Sequence, residues 1–401
     1  MKIQLSDHFT YQRLLHFCLP SIVMMIFTSI YGVVDGLFVS NFVGKIPFAA
    51  INLVMPFIMI LGGFGFMIGT GGSALIAKTL GEGNHKLANR YFSMLIIMTV
   101  ILGLFLTTIG IVFARRVSIL LGATDVMLDD CVIYLRTVLL FISPFMLQNV
   151  FQSFLVTAQK PHAGLIVTII AGLTNMSLDA LFIVVFRWGV AGAALATGIS
   201  QCIGGLLPLI LFLGKNDSLL HLVPTRLEWR PFFLSCTNGM SELMGNISSS
   251  IVSMLYNFQL LNYAGENGIA AYGVLMYVQF IFIAVFFGYT IGVGPVIGYH
   301  YGAGNHAELK NLLRKSLKLN IITGISMTIL ANLFAGALSR IFVGYDPELY
   351  AMTKSAFHIF ALSFLVCGIN IFASAFFTAL NNGLVSAVIS FLRTLVFQVG
   401  S

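Results

Sequence analysis

The chain has 401 residues, of which 58% are hydrophobic and only 9% charged. A soluble domain carries charge on about 25% of its residues, so the composition excludes a soluble enzyme or binding module and points to an all-α polytopic membrane protein. The net charge of +7 is not a nucleic-acid signal, because the cations fall in short loops between apolar runs, where they report topology.

In chain order, apolar segments near or above the roughly 20 residues needed to span a bilayer fall at 14–39, 48–77, 91–114, 133–157, 163–186, 190–213, 232–262, 268–298, 317–339, 350–380 and 384–401. Eleven spans are therefore expected. The polar start, Met1 to Gln12, runs straight into the first of them with no small-residue cleavage pattern, so the first helix is expected to stay. Inner prolines such as Pro20, Pro56, Pro144, Pro208 and Pro295 predict kinked helices. The five cysteines have neither disulfide nor zinc spacing and are expected to pack.

With the N-terminus cytoplasmic, thirteen Lys and Arg lie in the N-terminal stretch and the loops after even-numbered spans, among them Lys2, Lys86, Arg90 and Lys215. Seven lie on the other side, including Arg115, Arg187 and Arg340, and Arg393 lies inside the last segment, accounting for all 21. The bias fits a multi-pass protein of the cell inner (plasma) membrane in the positive-inside orientation.

An internal duplication organises the chain. The run GEGNH at 81–85 recurs as GAGNH at 302–306, an offset of 221 that also aligns Gly71 with Gly292 and Asn149 with Asn370. The expected domains are an N-terminal six-helix lobe over 1–213, a cytoplasmic linker over 214–231 and a C-terminal lobe over 232–401. Six helices per copy make parallel repeats, a secondary-transporter pattern with a site near the repeat interface. Leu213 maps to about residue 434, so the twelfth helix is expected to be missing and the chain truncated.

Three of the 14 acids fall in predicted membrane, Asp35, Asp179 and Glu242. Each must be neutral, paired or solvated. Asn175 and Asp179 are one helical turn apart and share a face. At the 221 offset Asp35 maps to Tyr256, Asn175 to Val396 and Asp179 to Gly400, so the polar group belongs to the first copy alone. A chemical role is the more economical reading of that asymmetry, although drift after duplication gives the same pattern. Interfacial solvation, a structural role only, is the alternative for Asp35 and also for Asp179. Glu242 either meets a cationic substrate or caps its helix. His300 and His306 are expected in a solvated loop, and His358 as a packing residue. The abundance of aromatics, 36 Phe and 13 Tyr, suits a cavity for flat cations. No P-loop or HExxH is present, and Gly69-Thr-Gly71-Gly72 lies inside a span, where close helix packing explains it. Work must come from a gradient, and no cofactor is expected beyond H⁺ or Na⁺ as coupling ion.

Together, the run Tyr31-Gly-Val-Val-Asp35, the two GNH loops, NGMSELMGN at 238–246 and AAYGV at 270–274 resemble the multidrug and toxic compound extrusion (MATE) family, in its prokaryotic DinF-like and MepA-like branch. The resemblance covers essentially the whole chain. It implies a cation or proton site at Asp35, Tyr134, Gln152, Asn175, Asp179 and Thr197, with Gln152 standing where Asn is expected. Na⁺ would be held by Asp35, Asn175, Asp179 and Thr197. Glu242 has no acidic companion in the tenth segment, which argues against the second acidic site of the family's other branch. The implied function is antiport of drugs or organic cations against H⁺ or Na⁺ by a monomer in the lipid bilayer, not an enzyme and without nucleic acid. The alternatives are a flippase for lipid-linked precursors, which would need a cationic cavity, and a membrane-embedded enzyme or non-transporting membrane protein.

Overall fold

The structure, a computed structural model, describes residues 3–214, 217–344 and 346–396. Lys2, Lys215 and the end of the eleventh segment, Gly400 included, lie outside the described residues. Every regular element among the described residues is helical: α1 Tyr11–Phe42, α2 Lys45–Gly81, α3 His85–Leu120, α4 Leu128–Leu139, α5 Ile142–Thr157, α6 Pro161–Asp179 and α7 Gly189–Leu213 in the first half. The second half holds α8 Trp229–Asn238, α9 Met240–Gly302, α10 His306–Val343, α11 Pro347–Phe360, α12 Phe364–Ala379 and α13 Gly383–Phe391. Among the described residues eight stretches are long and apolar enough to cross a bilayer, nine when the bent pair α4 and α5 is one span. The first limb of α9 and the run Gly383–Val396 occupy the two other expected segments.

The repeated GNH motif is a helix-to-helix turn. Gly83 and Gly304 take φ of 79° and 67°, a left-handed conformation that costs glycine nothing. The next residue then caps the new helix, Asn84 Oδ1 accepting from Leu87 N–H at 3.2 Å and Asn305 Oδ1 from Glu308 N–H at 3.1 Å. The side-chain oxygen satisfies one of the four amides that a helix start leaves unpaired.

The fourth segment, expected as one span over 133–157, is two helices bent by 56° at Leu140 and Phe141. Pro144 has no N–H to offer the carbonyl four residues back, at Leu140, which weakens the helix at the bend. The tenth segment is interrupted more mildly by a tight turn at Ala361–Ser363.

The seventh and eighth segments, expected as separate helices over 232–262 and 268–298, instead form α8 and the two limbs of α9. A straight helix of 63 residues would be about 95 Å long. Yet the Tyr256 and Tyr272 rings stack with centroids 5.5 Å apart, where sixteen residues of straight helix would separate them by about 24 Å. The chain therefore reverses between these tyrosines, and α9 packs along both α1 and α2.

At the end of the bundle nearest the N-terminus, the two halves of the sequence meet backbone to backbone. A methyl group at Gly81 would collide with the Tyr299 carbonyl, and one at Gly302 with the Lys78 carbonyl. Since 78 and 81 become 299 and 302 at the offset of 221, this is one contact made twice. Small residues let helix axes approach in this way. On the flank, the connection between α7 and α8 lies along α3: His221 N–H donates to Asn89 Oδ1 at 3.0 Å, and Arg90 pairs with Glu228 at 2.8 Å.

His300 departs from its expected solvated loop. It is 2% exposed in the last turn of α9, because the helix continues past the eighth segment to Gly302. His306 is exposed as expected. His358 lies on the exposed side of α11, with Nδ1 2.7 Å from Asn332 Oδ1.

Candidate functional site

Asp35 lies two turns from the end of α1, and Asn175 and Asp179 occupy the last turn and a half of α6. Gly172 brings these helices together, since a Cβ there would sit 2.6 Å from the Phe27 ring and 2.8 Å from that of Tyr31. Tyr31 is one turn before Asp35, so the close approach delivers the Asp35 carboxyl to the Asp179 carboxyl and the Asn175 amide. α6 gives way immediately after Asp179 to a wider π-helical turn, Ala180–Val185. Such turns loosen the backbone ladder and recur at functional sites.

Tyr134 comes from α4, Gln152 from α5 and Thr197 from α7. The Tyr134 ring is 2% exposed and faces both carboxyls, with its hydroxyl beside Thr197. All six residues expected from the sequence are thus gathered at one place by five helices. Glu242 stands apart, in the first turn of α9 on the opposite side of a shared cavity.

The polar atoms of this place are unusually bare. Asp35 Oδ1, Gln152 Oε1, Asn175 Oδ1, both Asp179 carboxyl oxygens and Thr197 Oγ1 are buried without a hydrogen bond of good geometry among the described residues. Leaving one buried polar group unpaired costs about 1–3 kcal/mol, so a cluster of such oxygens is suited to receive a donor or a cation. All six are acceptor oxygens, as a proton or a hard monovalent cation requires. Two adjoining carboxylates in a low-dielectric interior share charge poorly, which favours one added positive charge.

The sequence reading missed Tyr31, Gln148 and Gln201. Tyr31 meets Gln148 beside Asp35, and Gln201 Oε1 is a further buried oxygen without a partner. The signal was available, because each lies four residues from a residue already chosen, Asp35, Gln152 or Thr197, and so on the same helical face.

The cluster opens into a cavity of about 640 Å³ between the two halves of the sequence. Its wall carries two acids, Asp35 and Glu242, and no Lys, Arg or His among the described residues. Below Glu242 on α9 the polar residues Asn246, Ser249, Ser250 and Ser253 repeat at helical spacing and also line it. Phe66, Phe145, Phe280 and Phe287 supply aromatic surface.

The MatE family profile matches residues 20–181 and 243–400. The chain belongs to the MatE family. It is therefore a polytopic membrane transporter rather than an enzyme. It is 26% identical over 379 residues to the multidrug export protein MepA of Staphylococcus haemolyticus, covering 93% of this chain and 82% of that protein. Against the MepA of Staphylococcus saprophyticus it is 25% identical over 391 residues, covering 96% and 85%. The fold matches that of a multidrug resistance MATE family transporter of the MOP superfamily in an outward-facing conformation, with TM-score 0.92 at 22% identity, over 98% of this chain and 88% of the other.

Proposed function

We propose that this MatE protein is a secondary active multidrug efflux antiporter, exporting organic cations across the plasma membrane in exchange for H⁺ or Na⁺. The observation that carries the reading is the cavity wall, with two carboxylates, aromatic surface and no cationic side chain among the described residues, joined directly to the nest of unpaired oxygens. The relatives named as multidrug export proteins support it. In this reading Asp35, Tyr134, Gln152, Asn175, Asp179 and Thr197 take the coupling ion, and Glu242 takes the positive charge of the substrate.

The two halves, 1–213 and 232–401, act as lobes on either side of the cavity, with the N-terminus cytoplasmic and the monomer as working unit. Each net charge crossing with the potential contributes about 2.3 kcal/mol per 100 mV, whereas a one-for-one exchange of a monovalent cation for H⁺ or Na⁺ moves no net charge and draws on the ion's concentration gradient alone. A flippase for lipid-linked precursors would have to hold a pyrophosphate, and the lining carries two acids and no cationic side chain among the described residues, Arg393 beside Glu242 lying outside it. The test is dye efflux from energised vesicles. Gradient-dependent loss of a cationic dye is expected, and no effect on any cationic dye would sink the reading.

A further inference from the structure

The residues just ahead of α1 belong to the first half of the sequence but are held by the second. Leu5 and Phe9 are fully buried in an apolar cluster with Ile297 and Leu309. Phe9 N–H donates to Glu308 Oε1 at 3.0 Å, and its carbonyl accepts from Lys315 Nζ at 2.6 Å and Asn311 Nδ2 at 3.1 Å. His8 Nδ1 lies 2.6 Å from Glu308 Oε2, and Asn311 Nδ2 donates to Glu308 Oε1 at 2.7 Å. Residues 308, 311 and 315 form one face of α10. Glu308 is only 6% exposed, in the first turn of its helix, where the unpaired amides favour a carboxylate.

This strap covers the end of the bundle where the halves touch. There Gly81 and Gly302 meet the opposing backbones, and a Cβ on Gly292 would lie 2.9 Å from Cys18. Cys18 is 0% exposed on that seam. Separating α1 and α2 from α9 and α10 at this end would open a path into the cavity. It would also have to peel residues 5–9 from α10, because the strap runs without a break into α1.

We propose that residues 5–9 are a latch that favours the state closed at the N-terminal end, with Glu308 as the catch. The inference rests on the transport reading, in which both ends of the cavity must open in turn. Glu308 accepts from the chain at His8 and Phe9 in charge-assisted contacts, which are stronger than neutral ones. Removing one such contact shifts a two-state balance by about tenfold.

The reporter is Cys18 in a protein whose other cysteines, Cys131, Cys202, Cys236 and Cys367, are replaced by alanine. Its labelling by a water-soluble maleimide reads opening of the seam and needs no transport. His8→Ala, at a side chain that is 66% exposed, and Glu308→Gln are each expected to speed labelling by about tenfold. Asp346→Asn, at the cap of α11 near the other end, should leave it unchanged. Unchanged labelling in both latch variants, with melting curves like the parent's, overturns the proposal. Conversely, a disulfide joining His8→Cys and Glu308→Cys in a background without native cysteines should stop dye export until it is reduced. Failure of the pair to cross-link, or full export by the cross-linked protein, also overturns it. A parent that exports no dye would instead remove the transport reading, while the Cys18 rates still judge the latch.

Discussion

The Asp35 carboxyl on α1 faces the Asp179 carboxyl at the end of α6, and neither Asp179 oxygen has a hydrogen bond of good geometry among the described residues. A pair of acids 144 residues apart in the sequence is thus assembled without a cationic side chain beside it among the described residues. The expected consequence is that Asp35→Asn and Asp179→Asn each abolish gradient-driven export while inserting normally. A loss of at least about a hundredfold is expected, since each change removes a charged ligand from a buried site. Efflux rates at matched membrane expression check this.

Gln152 stands where the family resemblance implied asparagine, and its Oε1 is buried without a hydrogen bond of good geometry among the described residues. If that oxygen is a ligand, Gln152→Leu should weaken coupling-ion affinity by about tenfold, the scale of one hydrogen bond to a charged group. Gln152→Asn should lose much less. Isothermal titration, or the ion-concentration dependence of efflux, distinguishes the two; equal effects of Leu and Asn would argue for packing alone.

Glu242 shares the cavity with Asp35 but not the nest. Its removal should therefore separate substrate from ion. Glu242→Gln is expected to raise the KM for a cationic dye by about tenfold, a discounted Coulomb effect in a wet cavity, with little change for an uncharged substrate or for the ion dependence. An equal rise for both substrates would make Glu242 a structural group of the helix start.

Gly81 and Gly302 make the same contact from opposite sides of the seam. Gly302→Val should destabilise the closed end by about 1–3 kcal/mol, the usual cost of forcing extra carbon into a packed interface. Cys18 labelling would then rise, as in the latch variants. A Gly302→Val protein that labels no faster and transports normally would contradict the seam as a closed contact.

Much of this was legible in the sequence because the bilayer imposes length and polarity on every span. The eleven segments, the fifth-helix pair Asn175 and Asp179 and the 221-residue repeat are all local or periodic features. What stayed hidden depends on long-range packing. The separate segments 232–262 and 268–298 already implied the reversal between Tyr256 and Tyr272; what the spacing did not show is that helical hydrogen bonding runs on through α9. Pro144 marked the fourth segment as kinked, but not that the kink amounts to a 56° break at Leu140 and Phe141. His300 looked solvated because its neighbours Tyr301 and Gly302 lead into a turn, yet the seam buries it. Glu308 looked like one more surface acid. Its burial is decided by residues 8 and 9, about 300 positions away.

The central claim is that Asp35 and Asp179 form the coupling site of an antiporter. The direct measurement is efflux of a cationic dye from vesicles in which a pH gradient and a sodium gradient are imposed separately, with the parent, Asp35→Asn and Asp179→Asn compared. The account predicts that one of the two gradients drives export by the parent and that neither drives it in either variant. Gradient-driven export by correctly inserted Asp35→Asn and Asp179→Asn proteins at the parent's rate would contradict it.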